Sequence, residues 1–123
     1  MIKPMILVVE DERLIARDIA MQLNNLGYTA LGPVSTGEQA IEMIEKLRPQ
    51  LVLMDIHLAS AMDGVTAAEI IRNKFDVPTV FLSAFDGVDS HKRAIQARPL
   101  GYIAKPFSEY DFRSVMQLAL AAL

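Results

Sequence analysis

Five times along the 123 residues, a short apolar run gives way to a segment whose apolar residues recur at helical spacing. This alternation constrains the fold more than any other feature. A strand followed by a crossover helix must pair in parallel with its neighbour, so five such units predict a parallel sheet with helices on both faces. The runs are Met5–Glu10, Tyr28–Val34, Leu51–Asp55, Thr79–Ala84 and Leu100–Ala104. Between them, Glu12–Leu26 carries Ile15, Ile19, Leu23 and Leu26, with Gly27 where a helix stop belongs. Ser35-Thr36-Gly37-Glu38 reads as a capping box that opens a helix to Arg48, and Pro49 ends it. Val65–Phe75 and Val88–Arg98 read as the third and fourth helices. Ser108-Glu109-Tyr110-Asp111 caps a fifth, whose apolar stripe is Phe112, Val115, Met116, Ala119 and Leu123.

Composition narrows the function classes. Residues 1–123 fit one domain, and 52% hydrophobic residues supply a core without staples. Twelve Lys and Arg against fifteen Asp and Glu argue against direct nucleic-acid binding. With no cysteine, disulfides, thiolate chemistry and Cys-type zinc sites are excluded. The runs Met5–Val9 and Leu118–Leu123 are too short to span a bilayer, and Glu10-Asp11-Glu12 cuts the first before a signal peptide could form. A soluble, cytoplasmic domain with no membrane contact is expected. His57 and His91 lack paired ligand spacing, so a histidine metal site is not expected. The seven methionines read as core filling. No G-x-G-x-x-G, Walker or Ser-His-Asp pattern is present.

In a doubly wound sheet the site lies beyond the carboxyl ends of the strands. Those ends hold Glu10-Asp11-Glu12, Asp55, Ser83-Ala84 and Lys105-Pro106. Two carboxylates 4 Å apart repel by about 4 kcal/mol at an effective dielectric near 20. A divalent cation relieves that, and an all-oxygen donor set selects Mg²⁺, Mn²⁺ or Ca²⁺. The blander alternative is that Glu10 and Asp11 only cap the first helix. Asp55 closes an apolar strand, where a carboxylate is placed to attack phosphorus. Lys105 can pair with that carboxylate and later with a phosphoryl oxygen, and Ser83 can donate to one.

The motifs ILVVEDE (6–12), LVLMD (51–55), Asp63-Gly64, FLSA (81–84) and GYIAKPF (101–107) resemble the receiver domain of a two-component response regulator, chemotaxis-regulator-like, across essentially the whole chain. The resemblance implies the flavodoxin-like (βα)₅ fold with strand order 2-1-3-4-5, an order for which a receiver protein is itself a standard example. It implies that Asp55 accepts a phosphoryl group from a sensor histidine kinase or a histidine phosphotransfer protein. It implies Mg²⁺ or Mn²⁺ held by Asp11 and Asp55, by Glu10 through water and by the His57 backbone carbonyl. Ser83 and Lys105 would bind the phosphoryl group, Tyr102 takes the switch-aromatic position, and the Lys105–Pro106 bond would be cis. A surface of the fourth helix, fifth strand and fifth helix would serve homodimers or a downstream effector domain. The domain would be a switch, catalysing only its own phosphoryl transfer and slow dephosphorylation.

This sequence departs from the family pattern in three places. Glu10 stands where Asp is common, and the loop after Asp55 lacks a frequent proline and is one residue longer (57–62). Arg98-Pro99-Leu100-Gly101 replaces the usual Gly-Ala before Tyr102. Two other classes compete: an aspartyl-phosphate phosphatase, disfavoured because His57 stands where a second Asp is expected, and a degenerate receiver that only binds protein.

Overall fold

A computed structural model describes residues 3–84 and 88–123, with side chains of 88–91 outside the description. In chain order the elements are β1 (Met5–Val9), α1 (Arg13–Asn25), β2 (Thr29–Val34), α2 (Gly37–Leu47) and β3 (Leu51–Asp55). α3 (Gly64–Phe75), β4 (Thr79–Ala84), α4 (Val88–Gln96), β5 (Gly101–Lys105) and α5 (Glu109–Ala121) follow. The sheet is parallel throughout, in the order β2-β1-β3-β4-β5. All five expected strands and helices are present, and the flavodoxin-like order is the expected one.

The period-two alternation of the central strands divides the core in two. Ile6, Val8, Leu51, Leu53, Val80 and Leu82 face α1 and α5, where Ile19, Leu23, Phe112 and Met116 cover them. Leu7, Val9, Val52, Met54 and Phe81 point the other way, toward Ala40 and Ile44 of α2, Ile71 of α3 and Ala94 of α4. β3 is buried over its whole length, as a continuous apolar run at mid-sheet requires. The edge strand β2 tolerates Gly32 and Pro33 because its outer side needs no ladder partner. There the register with β1 slips by one residue, between Leu7↔Leu31 and Val9↔Val34, and Gly32 has φ +89°. Both Gly32–Pro33 and Lys105–Pro106 are cis.

Helix ends differ from expectation in small ways. The α2 cap is Thr36, not Ser35: its hydroxyl accepts from Gln39 N–H at 3.1 Å, while Gln39 Oε1 accepts from Ser35 N–H at 3.1 Å. The cap therefore lies one residue further on than expected, and Gln39, not Glu38, reaches back, to the residue before the cap. Asp63 caps α3 and Ser108 caps α5, each accepting from the backbone three residues on. Leu123 lies beyond the end of α5 and is 56% exposed, so it does not continue the α5 stripe. Among the described residues no helix is long and apolar enough to cross a membrane.

Candidate phosphoacceptor site

The parallel register sets the site. β1 and β3 lie side by side, with Val9 opposite Met54, so their next residues, Glu10 and Asp55, emerge together. β5 ends at Lys105 on the far side of β4, and its long side chain reaches back across the edge. Glu10 and Asp55 are buried, at 2% and 3% exposure, while Asp11 is half-buried. Carboxylate oxygens of Glu10, Asp11 and Asp55 all lie within 4.8 Å of one another.

Every carboxylate there has a partner. Asp55 Oδ1 accepts from the His57 N–H at 3.0 Å, and Oδ2 accepts from Lys105 Nζ at 3.2 Å. Lys105 also donates to Glu10 Oε1, and Glu10 Oε2 accepts from the Glu12 N–H at 3.2 Å. Asp11 Oδ2 accepts from the Ala59 N–H at 2.9 Å. Neither Glu10 nor Asp11 caps α1 as the blander reading supposed: the N-cap is Glu12, with no side-chain cap bond, and one Glu10 oxygen only accepts from the Glu12 N–H that precedes the helix. The other Glu10 oxygen holds Lys105.

Three negative charges against one lysine leave the cluster short of positive charge. Burial first, then the neighbouring Asp55, push the Glu10 carboxyl up to about 7, against the lowering effect of Lys105. Burial pulls the Lys105 ammonium down, but the hydrogen bond to Glu10 and the charge of Asp55 outweigh it and raise it overall. A charge-deficient group of convergent carboxylate oxygens fits a hard divalent cation.

Ser83 and Tyr102 stand apart from this cluster. The Ser83 hydroxyl donates to the Ala84 carbonyl at 3.2 Å and makes no described bond to Asp55. Tyr102 pairs in register with Phe81, and the two rings lie 6.0 Å apart. The Tyr102 hydroxyl is buried, and burial pushes the phenol up. The cause is local: Phe81 on the neighbouring strand offers an apolar wall on the same sheet face. Residues 85–87, between Ser83 and α4, and the His91 side chain lie outside the described residues.

Three features were not read from the sequence as parts of the site. Gly64 sits so close to Asp55 that a Cβ there would lie 1.9 Å from the Asp55 carbonyl oxygen. Asp63-Gly64 was visible as a motif, but its steric reason is not. The Ala59 amide leaves no side-chain signature at all. The third is an ion pair between Asp63 and Arg93, at 2.9 Å.

An acidic cluster at the carboxyl edge of a parallel sheet of this order, backed by one lysine, is the arrangement of a receiver-class domain. The family profile described as the response regulator receiver domain matches residues 6–117, and the chain belongs to that family. It is 38% identical over 116 residues to the transcriptional regulatory protein PdtaR of Mycobacterium tuberculosis, covering 94% of this chain and 56% of that protein. The chain spans about half the length of the curated relatives it matches. Its structure resembles the signal receiver domain of a modulated diguanylate cyclase from Desulfovibrio desulfuricans G20. The TM-score is 0.91 at 35% identity, covering 98% of this chain and 96% of that one. It also resembles the receiver domain of the sensor histidine kinase PA1611 from Pseudomonas aeruginosa PAO1, solved with a magnesium ion coordinated in its active-site cleft. There the TM-score is 0.82 at 30% identity, over 96% and 98% of the two chains.

Proposed function

We propose that residues 1–123 form a single receiver domain that takes a phosphoryl group onto Asp55 from a phosphohistidine of a sensor kinase or a histidine phosphotransfer protein. One observation carries the reading. The Asp55 carboxylate is buried, gripped by Lys105 and the His57 N–H, and set among two further carboxylates that leave room for a cation.

A carboxylate oxygen of Asp55 forms the new P–O bond as the P–N bond of the phosphohistidine breaks. The departing imidazole nitrogen keeps the electron pair, and Asp55 becomes a mixed carboxylic–phosphoric anhydride. Lys105 is already within reach of the oxygen that turns to phosphorus, so it can follow the charge onto the phosphoryl group without reorganisation. The hydroxyl of Ser83 must leave the Ala84 carbonyl to donate to a phosphoryl oxygen. Asp11, Asp55, the His57 carbonyl and, through water, Glu10 would hold Mg²⁺ or Mn²⁺, which when bound neutralises charge on the transferring group. In that role Glu10 also keeps Lys105 aimed at Asp55.

The domain is a signalling switch that would hydrolyse its own anhydride slowly, and it would act in the cytoplasm. Its output would leave through α4, β5 and α5, toward a second copy or an effector domain. Intact-mass measurement after exposure to acetyl phosphate with and without Mg²⁺ tests the reading. A single phosphoryl adduct that needs Mg²⁺ is expected, and an unmodified chain in both conditions would reduce the domain to a protein-binding module.

A further inference from the structure

α4 is tied to the Asp55 strand end at a place that involves neither Ser83 nor Tyr102. The first turn of α3 rests on the backbone of residues 55 and 56. Gly64 has no room for a Cβ beside the Asp55 carbonyl, and its N–H donates to the Ile56 carbonyl at 3.1 Å. Asp63, just before it, divides its carboxylate between two helices. Oδ1 accepts from the Thr66 N–H at 2.8 Å and caps α3; Oδ2 accepts from the Arg93 guanidinium of α4 at 2.9 Å. The other terminal nitrogen of Arg93 reaches the Thr66 hydroxyl at 3.3 Å. One planar fork from α4 thus grips two residues of the α3 first turn, a geometry that lysine cannot reproduce.

Of the described side chains of α4, only the small Ala94 is fully buried in the core. Beside the fork a solvent-open pocket of about 130 Å³ is lined by Ile56, His57, Leu58, Asp63, Val65 and Arg93. Among the described side chains of α4, Arg93 is the one that makes polar contact with the start of α3.

We propose that Arg93 is a strap that holds α4 against the α3 N-cap in the resting protein and gives the Asp55 backbone a second route to α4. The relay part of this rests on the phosphoacceptor reading above; the resting strap does not. Charge change or backbone displacement at Asp55 moves the α3 N-cap, and the strap passes that movement to α4.

Amide hydrogen exchange of the whole chain, followed by NMR, tests the strap. Asp63→Asn keeps an α3 cap, because asparagine caps nearly as well, and discharges the pair. Arg93→Gln removes the fork from the surface side. Each should speed exchange at the end of α4 and the residue after it, residues 94–97, about two- to five-fold, the range an exposed ion pair supports, and leave α1 and α5 unchanged. The double variant should exchange no faster than either single one, and Arg93→Lys should fall between. Unchanged α4 exchange in Arg93→Gln, or single effects that add, would overturn the strap. If Asp63→Asn loosens the whole fold, Arg93→Gln alone decides.

The relay is read with beryllofluoride and Mg²⁺, with Asp55 occupancy followed separately by fluorine NMR. The α4 amides of unliganded Arg93→Gln should lie part way along the line from free to occupied wild type. Shifts off that line would overturn the relay and leave the strap standing. Failure of beryllofluoride to occupy Asp55 would count against the phosphoacceptor reading, and with it the relay; the exchange data would still decide the strap.

Discussion

The two sides of the strand-end surface are built in opposite ways. On the β1–β3 side, Glu10 and Asp55 are buried, and each carboxylate oxygen there is matched to an ammonium or a backbone N–H. On the β4–α4 side, Ser83 turns to its own strand end and the Arg93–Asp63 pair is 49% and 41% exposed. A buried polar network is stiff because any movement leaves a desolvated charge unpaired. An exposed pair can open into water at little loss. On the proposed reading, the contrast puts the chemistry on the first side, whose groups are already held in place, and leaves the second side with the weaker contacts.

Substitutions on the stiff side should be large, and the largest should come from backbone contact. Gly64→Ala puts a Cβ against the Asp55 carbonyl. Neither backbone can yield without moving the strand end, so we expect a loss of about 4 kcal/mol in urea unfolding. A loss below about 1 kcal/mol would mean the α3 N-terminus is not seated on Asp55. Lys105→Met leaves Glu10 and Asp55 buried without their cation, for a loss of about 3 kcal/mol. Added Mg²⁺ should restore part of that if the metal site is as proposed; no restoration would separate the lysine from the metal.

Asp11→Asn runs the other way. It keeps an acceptor for the Ala59 N–H and removes one of three crowded charges. The metal-free protein should gain about 1 kcal/mol while Mg²⁺ binding weakens. Equal Mg²⁺ affinity in wild type and variant, by calorimetry, would take Asp11 out of the metal shell.

The smallest effects belong to the exposed Arg93–Asp63 pair. Burial pushes the Asp63 carboxyl up, but the Arg93 guanidinium and the Thr66 N–H together hold it below its ordinary 3.8. A carboxyl lowered by folding stabilises the fold above its unfolded value, and that contribution fades as pH falls through the lowered one. The stability gap between wild type and Asp63→Asn should therefore be flat near neutral pH and close below 3.8. It should also shrink in molar salt. A gap that persists at low pH would show that the Asp63 charge does not matter.

Much of the stiff side was legible in the sequence because it follows from strand order. Once β1, β3 and β5 are recognised as apolar runs, their ends must carry Glu10, Asp55 and Lys105 to one edge, and the order of a doubly wound sheet does the rest. What could not be read is what depends on backbone direction. The Ala59 N–H that holds Asp11 belongs to a residue with no functional side chain. The shift of the α2 cap from Ser35 to Thr36 turns on which of two adjacent hydroxyls meets the helix axis. The inward Tyr102 depends on its partner across the β4–β5 register, Phe81, which becomes visible only when the strands are paired. Arg93 and Asp63 are 30 residues apart, and no local pattern links them.

Borohydride reduction of the acetyl-phosphate-treated protein, followed by peptide sequencing, tests the central claim most directly. Reduction of an acyl phosphate converts the modified carboxyl to an alcohol and so marks the residue itself. The account predicts homoserine at position 55, formed only when Mg²⁺ is present. An alcohol at position 10 or 11 instead, or homoserine at 55 formed equally well without a divalent cation, would contradict it.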